Sequence, residues 1–120
     1  MAGGDRVKLE RGTVVRIALD PTQGHKQRGA RPCVVVSDPA VSEDQRYPML
    51  CVVPLTGTPG VGALYPRLSP GSSGLRKPST AMVDQLRAVD KRRVIEVFGV
   101  IDPEEMAVID EAIGLFLGLP

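Results

Sequence analysis

The sequence predicts a mainly β fold with one helix: a small curled β-barrel with an attached C-terminal helix. Three observations carry this. Short β-branched and apolar runs, separated by turns rich in Gly, Pro and Ser, fill the chain from Thr13 to Ile101. From Asp102 onward the period changes, and apolar residues recur every three or four positions. At 120 residues the chain has room for one core and not for two. A single domain over 1–120 is therefore expected, with a flexible segment at 1–10 and the barrel at 11–120.

The elements follow in order. Thr13 to Leu19 is a β-branched strand that stops at Asp20-Pro21. Cys33 to Ser37 and Leu50 to Leu55 are continuous apolar runs, the pattern of strands covered on both faces. The polar stretch Asp38 to Tyr47 reads as a surface loop, and Gly57 to Gly62 and Ser69 to Pro78 as turns. Between these turns Ala63 to Leu68 is a weak strand, with Pro66 pointing to a sheet edge. Thr80 to Val89 alternates loosely and reads as a strand, although Gln85 to Arg93 also fits a helix; Asp90 to Arg93 is a turn or one helical turn. Val94 to Ile101 closes the β part.

Asp102-Pro103-Glu104-Glu105 then supplies an N-cap, a proline at the first helical position and a capping-box glutamate. Met106, Ile109, Ile113, Phe116 and Leu117 form the apolar stripe of the terminal helix. It is expected to lie on the barrel core or against a second copy of the chain.

Composition narrows the function classes. No run of about 18 apolar residues exists to span a membrane, and the polar N-terminus lacks a signal core, so a cytoplasmic protein is expected. Net charge is only +1, but all 15 Lys and Arg lie at or before Arg93, and only acids follow. That asymmetry fits an ordinary surface with an acidic last helix, and it also permits a basic face for nucleic acid or for an acidic protein. Two Tyr, two Phe and no Trp argue against recognition of single strands by stacking on a sheet. Cys33 and Cys51 sit in apolar runs and read as small buried hydrophobes. With one histidine and two scattered cysteines, no metal site is expected.

The segment from Ala18 to Asp38 is the most informative. It holds His25, Gln27 and the cations Lys26, Arg28 and Arg31, with no acid between Asp20 and Asp38. Gly24 and Gly29 let it bend, and Arg31-Pro32 joins it to the apolar strand, an arrangement suited to gripping a phosphodiester. Other chemistries lack their groups: there is no Gly-x-Ser-x-Gly elbow, and Gly71-Ser72-Ser73-Gly74 lacks the Lys-Ser/Thr of a P-loop.

RNA cleavage asks less of a protein, because the 2′-hydroxyl of the substrate is the nucleophile. The protein needs a base, an acid for the leaving oxygen and positive charge at the phosphate. Arg31 suits the charge, Thr56 offers a hydroxyl where a strand leaves the core, and Asp84 is a carboxylate in a semi-apolar strand. Taken singly, an ion-paired arginine, a turn-capping threonine and an aspartate bonded to loop amides account for these residues equally well.

With those residues in view, the chain resembles the MazF/PemK/Kid family of toxin ribonucleases from type II toxin–antitoxin modules, from Arg11-Gly12 to the terminal helix. The markers are Leu19-Asp20-Pro21-Thr22 with Gly24-His25 and Gln27, Gly29-Ala30-Arg31-Pro32, Val53-Pro54-Leu55-Thr56, Tyr65-Pro66 and Asp84-Gln85. The resemblance implies an SH3-like barrel, a homodimer, and metal-free, cofactor-free cleavage of single-stranded RNA at short motifs, leaving a 2′,3′-cyclic phosphate and a 5′-hydroxyl. It also implies a cognate antitoxin, MazE-like, whose acidic tail lies in the RNA groove.

By motif match Arg31 and Thr56 are catalytic, with Asp84 as base and His25 as phosphate stabiliser. Gln27 and Gln85 take recurring polar positions, and Lys26 and Arg28 are expected to bind RNA. Two residues depart from the pattern: Lys26 stands where the common Gly-x-Glu-Gln motif has its acid, and Met82 where the Kid-like branch has an arginine. The same fold also serves toxins that bind DNA gyrase through the terminal helix, a reading disfavoured by the absence of an expected exposed aromatic there. Lys26 and Met82 motivate a third reading, a catalytically weakened RNA-binding module.

Overall fold

The computed structural model describes residues 9–18 and 29–120. Seven strands form one sheet: β1 (Thr13–Ala18), β2 (Ala30–Val35), β3 (Met49–Thr56), β4 (Arg67–Leu68), β5 (Ser79–Ala81), β6 (Arg87–Asp90) and β7 (Val94–Val100). A one-turn helix α1 (Pro39–Ser42) lies between β2 and β3, and α2 (Pro103–Leu117) ends the chain. The order is β4-β5-β3-β2-β1-β7, with β6 also pairing β3. All pairings are antiparallel.

β3 organises the sheet. One edge pairs β2 through Val52 to Pro54. Its other edge pairs β6 from Met49 to Val52 and then β5 at Leu55 and Thr56. β7 pairs β1 with two register shifts that leave Ile95 and Phe98 without partners. Such bulges increase twist and curl the sheet.

The continuous apolar runs are covered on both faces, as expected. Val14, Val34, Val53 and Leu55 face one core, which Ile109 and Ala112 of α2 cover. Val15, Ile17, Cys33, Val35, Leu50 and Val52 face the second. Leu9, only 8 % exposed, belongs to that second core, so packing begins before Arg11, inside the segment expected to be flexible. Gly12 adopts a φ of 95°, a left-handed conformation that favours glycine. It lets the adjacent Arg11 donate to the Val36 carbonyl at 2.8 Å and to Asp110 of α2 at 3.0 Å.

Four elements differ from the sequence expectation. The loop after β2 contains α1, because Asp38 accepts from the Ala40 amide at 2.8 Å and Pro39 fits the first turn. The expected strand 63–68 shrinks to β4. The expected strand 80–89 breaks into β5, a 3₁₀ turn at Val83–Gln85, and β6. Two residues of β3, Val53 and Pro54, separate the partners of Ala81 and Arg87, yet five residues must cross that gap, so the chain loops outward. Val83, fully buried, pegs the turn.

Finally, Glu105 does not close a capping box. Its carboxylate accepts from the Ser69 amide at 2.8 Å, and Asp102 accepts from the Ser72 hydroxyl at 3.0 Å, so both acids pin the 69–78 turn to the helix. α2 ends at Gly118, with φ 70° and Leu119 N–H donating to Gly114 at 2.8 Å. The stripe is buried at Ile109, with Met106 and Ile113 half-buried on either side, and leaves the core toward its end. Phe116 and Leu117 are 42 % and 50 % exposed, so the terminal helix does present an aromatic. No helix among the described residues is long and apolar enough to cross a membrane.

Candidate active site

The ends of β2 and β3 build the site. Their pairing runs Val35↔Val52, Val34↔Val53 and Cys33↔Pro54, and two further steps along that register set Arg31 opposite Thr56 on the same face. Both side chains line an open cleft of about 300 Å³ with Ala30, Pro32, Leu55, Gly57 and Ser79. Arg31 is exposed and makes no ion pair among the described residues. The Thr56 hydroxyl accepts from the Thr58 amide at 3.2 Å, which leaves its own proton available for donation.

The face extends further. Thr56 pairs with Thr80, and Thr80 with Arg67, so these three form one row across β3, β5 and β4, and the β2–β3 register continued two steps brings Arg31 to its end. Arg67 Nη1 donates to Thr80 Oγ1 at 2.7 Å. Neighbours one step along each strand, Leu55, Ala81 and Leu68, belong to the core under the opposite face.

Cys33 lies two residues from Arg31 and is no nucleophile. Burial pushes its thiol up to about 12, against the pull of Arg31 and Arg87. Cys51 is shifted upward for the same reason, burial.

Asp84 and Gln85 sit on the 3₁₀ turn, exposed, and neither lines the cleft with Arg31 and Thr56. Asp84 accepts from the Tyr65 hydroxyl at 2.7 Å, a bond that raises the phenol above its ordinary range. Gln85 Nε2 meets Met82 Sδ at 3.5 Å. His25, Lys26, Gln27 and Arg28 lie outside the described residues.

Thr80 and Arg67 are site neighbours that sequence reading passes over, and Tyr65 enters it only as a family marker. The row depends on register, which no local pattern reports. A larger cavity of about 510 Å³, lined by Arg16, Gly74, Arg76, Glu96 and Phe98 among others, also touches Ala30 and Pro32. Its Arg16 is paired with Glu96 at 3.6 Å, and although Arg76 there has no carboxylate partner among the described residues, no lining side chain carries a hydroxyl, so the smaller cleft is the better candidate.

Comparison with known proteins decides the family. The sequence family described as PemK-like, MazF-like toxin of type II toxin–antitoxin systems matches residues 10–117. This chain belongs to that family. Over 117 residues it is 31 % identical to the endoribonuclease MazF9 of Mycobacterium tuberculosis, covering 92 % of this chain and 98 % of that protein. A mycobacterial endoribonuclease solved in complex with its cognate antitoxin superposes with a TM-score of 0.74 at 25 % identity, covering 92 % and 96 % of the two chains. The MazF fold of Deinococcus radiodurans, solved as a MazE–MazF complex, gives 0.79 at 23 % identity, over 95 % and 99 %. The MazF-like family thus accounts for the curled sheet with its C-terminal helix.

Proposed function

We propose that this chain is the toxin of a toxin–antitoxin pair and an endoribonuclease that cleaves single-stranded RNA at short sequence motifs. The observation that carries this reading is the facing of Arg31 and Thr56 in one open cleft. The family membership and the name of the mycobacterial relative support it.

In this mechanism the 2′-oxygen attacks the adjacent phosphorus, and the bond from phosphorus to the 5′-oxygen breaks. Products are a 2′,3′-cyclic phosphate and a 5′-hydroxyl. Arg31, always protonated, stabilises the charge that grows on the non-bridging oxygens. The Thr56 hydroxyl donates to one of them, and the leaving 5′-oxygen takes its proton from water in the open cleft. The motif match, and not the cleft, assigns the 2′-proton to Asp84, which stands on the 3₁₀ turn outside it: Tyr65 occupies one carboxylate oxygen, and the other stays available to an RNA strand that passes the turn. His25 assists at the phosphate, while Gln27, Lys26, Arg28 and Gln85 contact flanking nucleotides. Because the nucleophile belongs to the substrate, the step requires no metal or other cofactor.

The same reading makes the chain one cytoplasmic domain that pairs with a second copy. The exposed Ile95, Val97, Leu115 and Phe116 support such pairing. An acidic segment of a MazE-like antitoxin would occupy the cationic cleft in place of RNA. The test is product chemistry in EDTA: a 5′-hydroxyl, detected by direct kinase labelling, and a cyclic phosphate opened by mild acid. Products bearing 5′-phosphates would refute it.

A further inference from the structure

Resting on the nuclease reading, we infer that Arg67 binds a second phosphate of the RNA strand, next to the scissile one on the Thr56 side, and that Thr80 positions it. Four described arginines, Arg11, Arg16, Arg46 and Arg92, are matched to carboxylates. The other five, Arg31, Arg67, Arg76, Arg87 and Arg93, have no carboxylate partner among the described residues, and of these Arg31, Arg67 and Arg87 share one face of the sheet. Residue parity shows this: Arg31 is two residues from Cys33 and Arg87 two from Val89, so each shares the face of the second core, and Arg67 is opposite in sense to Leu68 of the first core.

Of these, Arg67 is the one held in place. It stands in the Arg31–Thr56–Thr80 row, three strands from Arg31, or roughly 14 Å between backbones at the usual strand spacing. Thr80 is 1 % exposed, and its hydroxyl accepts a single guanidinium N–H at 2.7 Å. The other N–H groups of the fork remain to donate to an anion. A buried threonine orienting an exposed, unpaired arginine beside a catalytic hydroxyl is an anion clamp, and the anion the reaction supplies there is the next phosphate.

The experiment uses an RNA oligonucleotide spanning a cut site first mapped on long RNA. Single neutral methylphosphonates replace each phosphodiester in turn. For the unaltered protein, one non-scissile position should raise KM about tenfold, the loss of one charge-assisted contact. Arg67→Ala should raise KM similarly with little change in kcat, abolish sensitivity at that position alone, and reduce the salt slope of RNA affinity by about 0.7. Thr80→Val should raise KM less, and add nothing to Arg67→Ala.

Cleavage by Arg67→Ala with unchanged KM and salt slope would overturn the inference while leaving the nuclease reading intact. The inference is equally overturned if Arg67→Ala weakens only capture of an acidic peptide. Absence of cleavage by the unaltered protein would overturn the nuclease reading, and this inference with it.

Discussion

The Tyr65 hydroxyl donates to the Asp84 carboxylate at 2.7 Å, linking the stretch before β4 to the 3₁₀ turn between β5 and β6. Asp84 is therefore held from outside the Arg31–Thr56 cleft. If it takes the 2′-proton, Asp84→Asn should lower kcat about 10²- to 10⁴-fold with little effect on KM. The same change replaces the charged acceptor that raises the Tyr65 phenol with a neutral amide, so that phenol should titrate lower, toward the ordinary value of about 10. Ultraviolet titration reads this independently of activity. A normal kcat alongside a lowered phenol would make Asp84 purely structural.

Thr56 should be needed as a donor, not as a packing group. Thr56→Val is expected to cost about 10² in kcat, and Thr56→Ser to remain within severalfold of the unaltered protein. Both should keep the melting temperature within a few degrees, since the residue is only half-buried at a strand end. Equal losses for valine and serine would remove the hydroxyl from the mechanism.

Cys33 predicts an alkaline weakness. Its folded pKa of about 12 lies above the unfolded value of about 8.5, so the unfolded chain releases the proton first. The contribution of the thiol is whole below about pH 8.5 and declines as pH rises toward 12. Urea unfolding at pH 7 and pH 10 should show a smaller pH-dependent loss for Cys33→Ala than for the unaltered protein. Native Cys33 should resist iodoacetamide at pH 8, and rapid alkylation would contradict its buried placement.

Gly99 packs against the 69–78 turn so closely that a Cβ there would collide with the Ser72 carbonyl. That carbonyl accepts from the Val100 amide at 3.1 Å, so the turn cannot shift without breaking a bond. Gly99→Ala should destabilise the fold by about 1–3 kcal/mol, measured by urea denaturation at pH 7. An unchanged midpoint would show that the turn yields freely.

Much of this was legible from residue order. Continuous apolar runs identified β2 and β3, and the shift to three- and four-residue spacing after Asp102 located α2 almost to the residue. Arg31 and Thr56 were legible because each borders such a run. Register was not. The sequence shows Thr80 and Arg67 as ordinary turn-flanking polar residues, and only their pairing with Thr56 brings them into one row. The break at Val83–Gln85 was hidden because Thr80 to Val89 alternates well enough to pass for one strand. Its length mismatch against β3 is a tertiary fact. Glu105 misled for a related reason: a capping-box glutamate and a glutamate that binds a distant turn are identical in sequence.

Mapping of new 5′ ends decides whether Arg31, facing Thr56, drives RNA cleavage. Purified unaltered protein and Arg31→Ala, both confirmed folded by circular dichroism, are incubated with one long RNA in EDTA and every new 5′ end is sequenced. Discrete 5′-hydroxyl ends at a repeated short motif are expected for the unaltered protein and none above background for Arg31→Ala. The same ends at comparable rates from folded Arg31→Ala would contradict that role of Arg31.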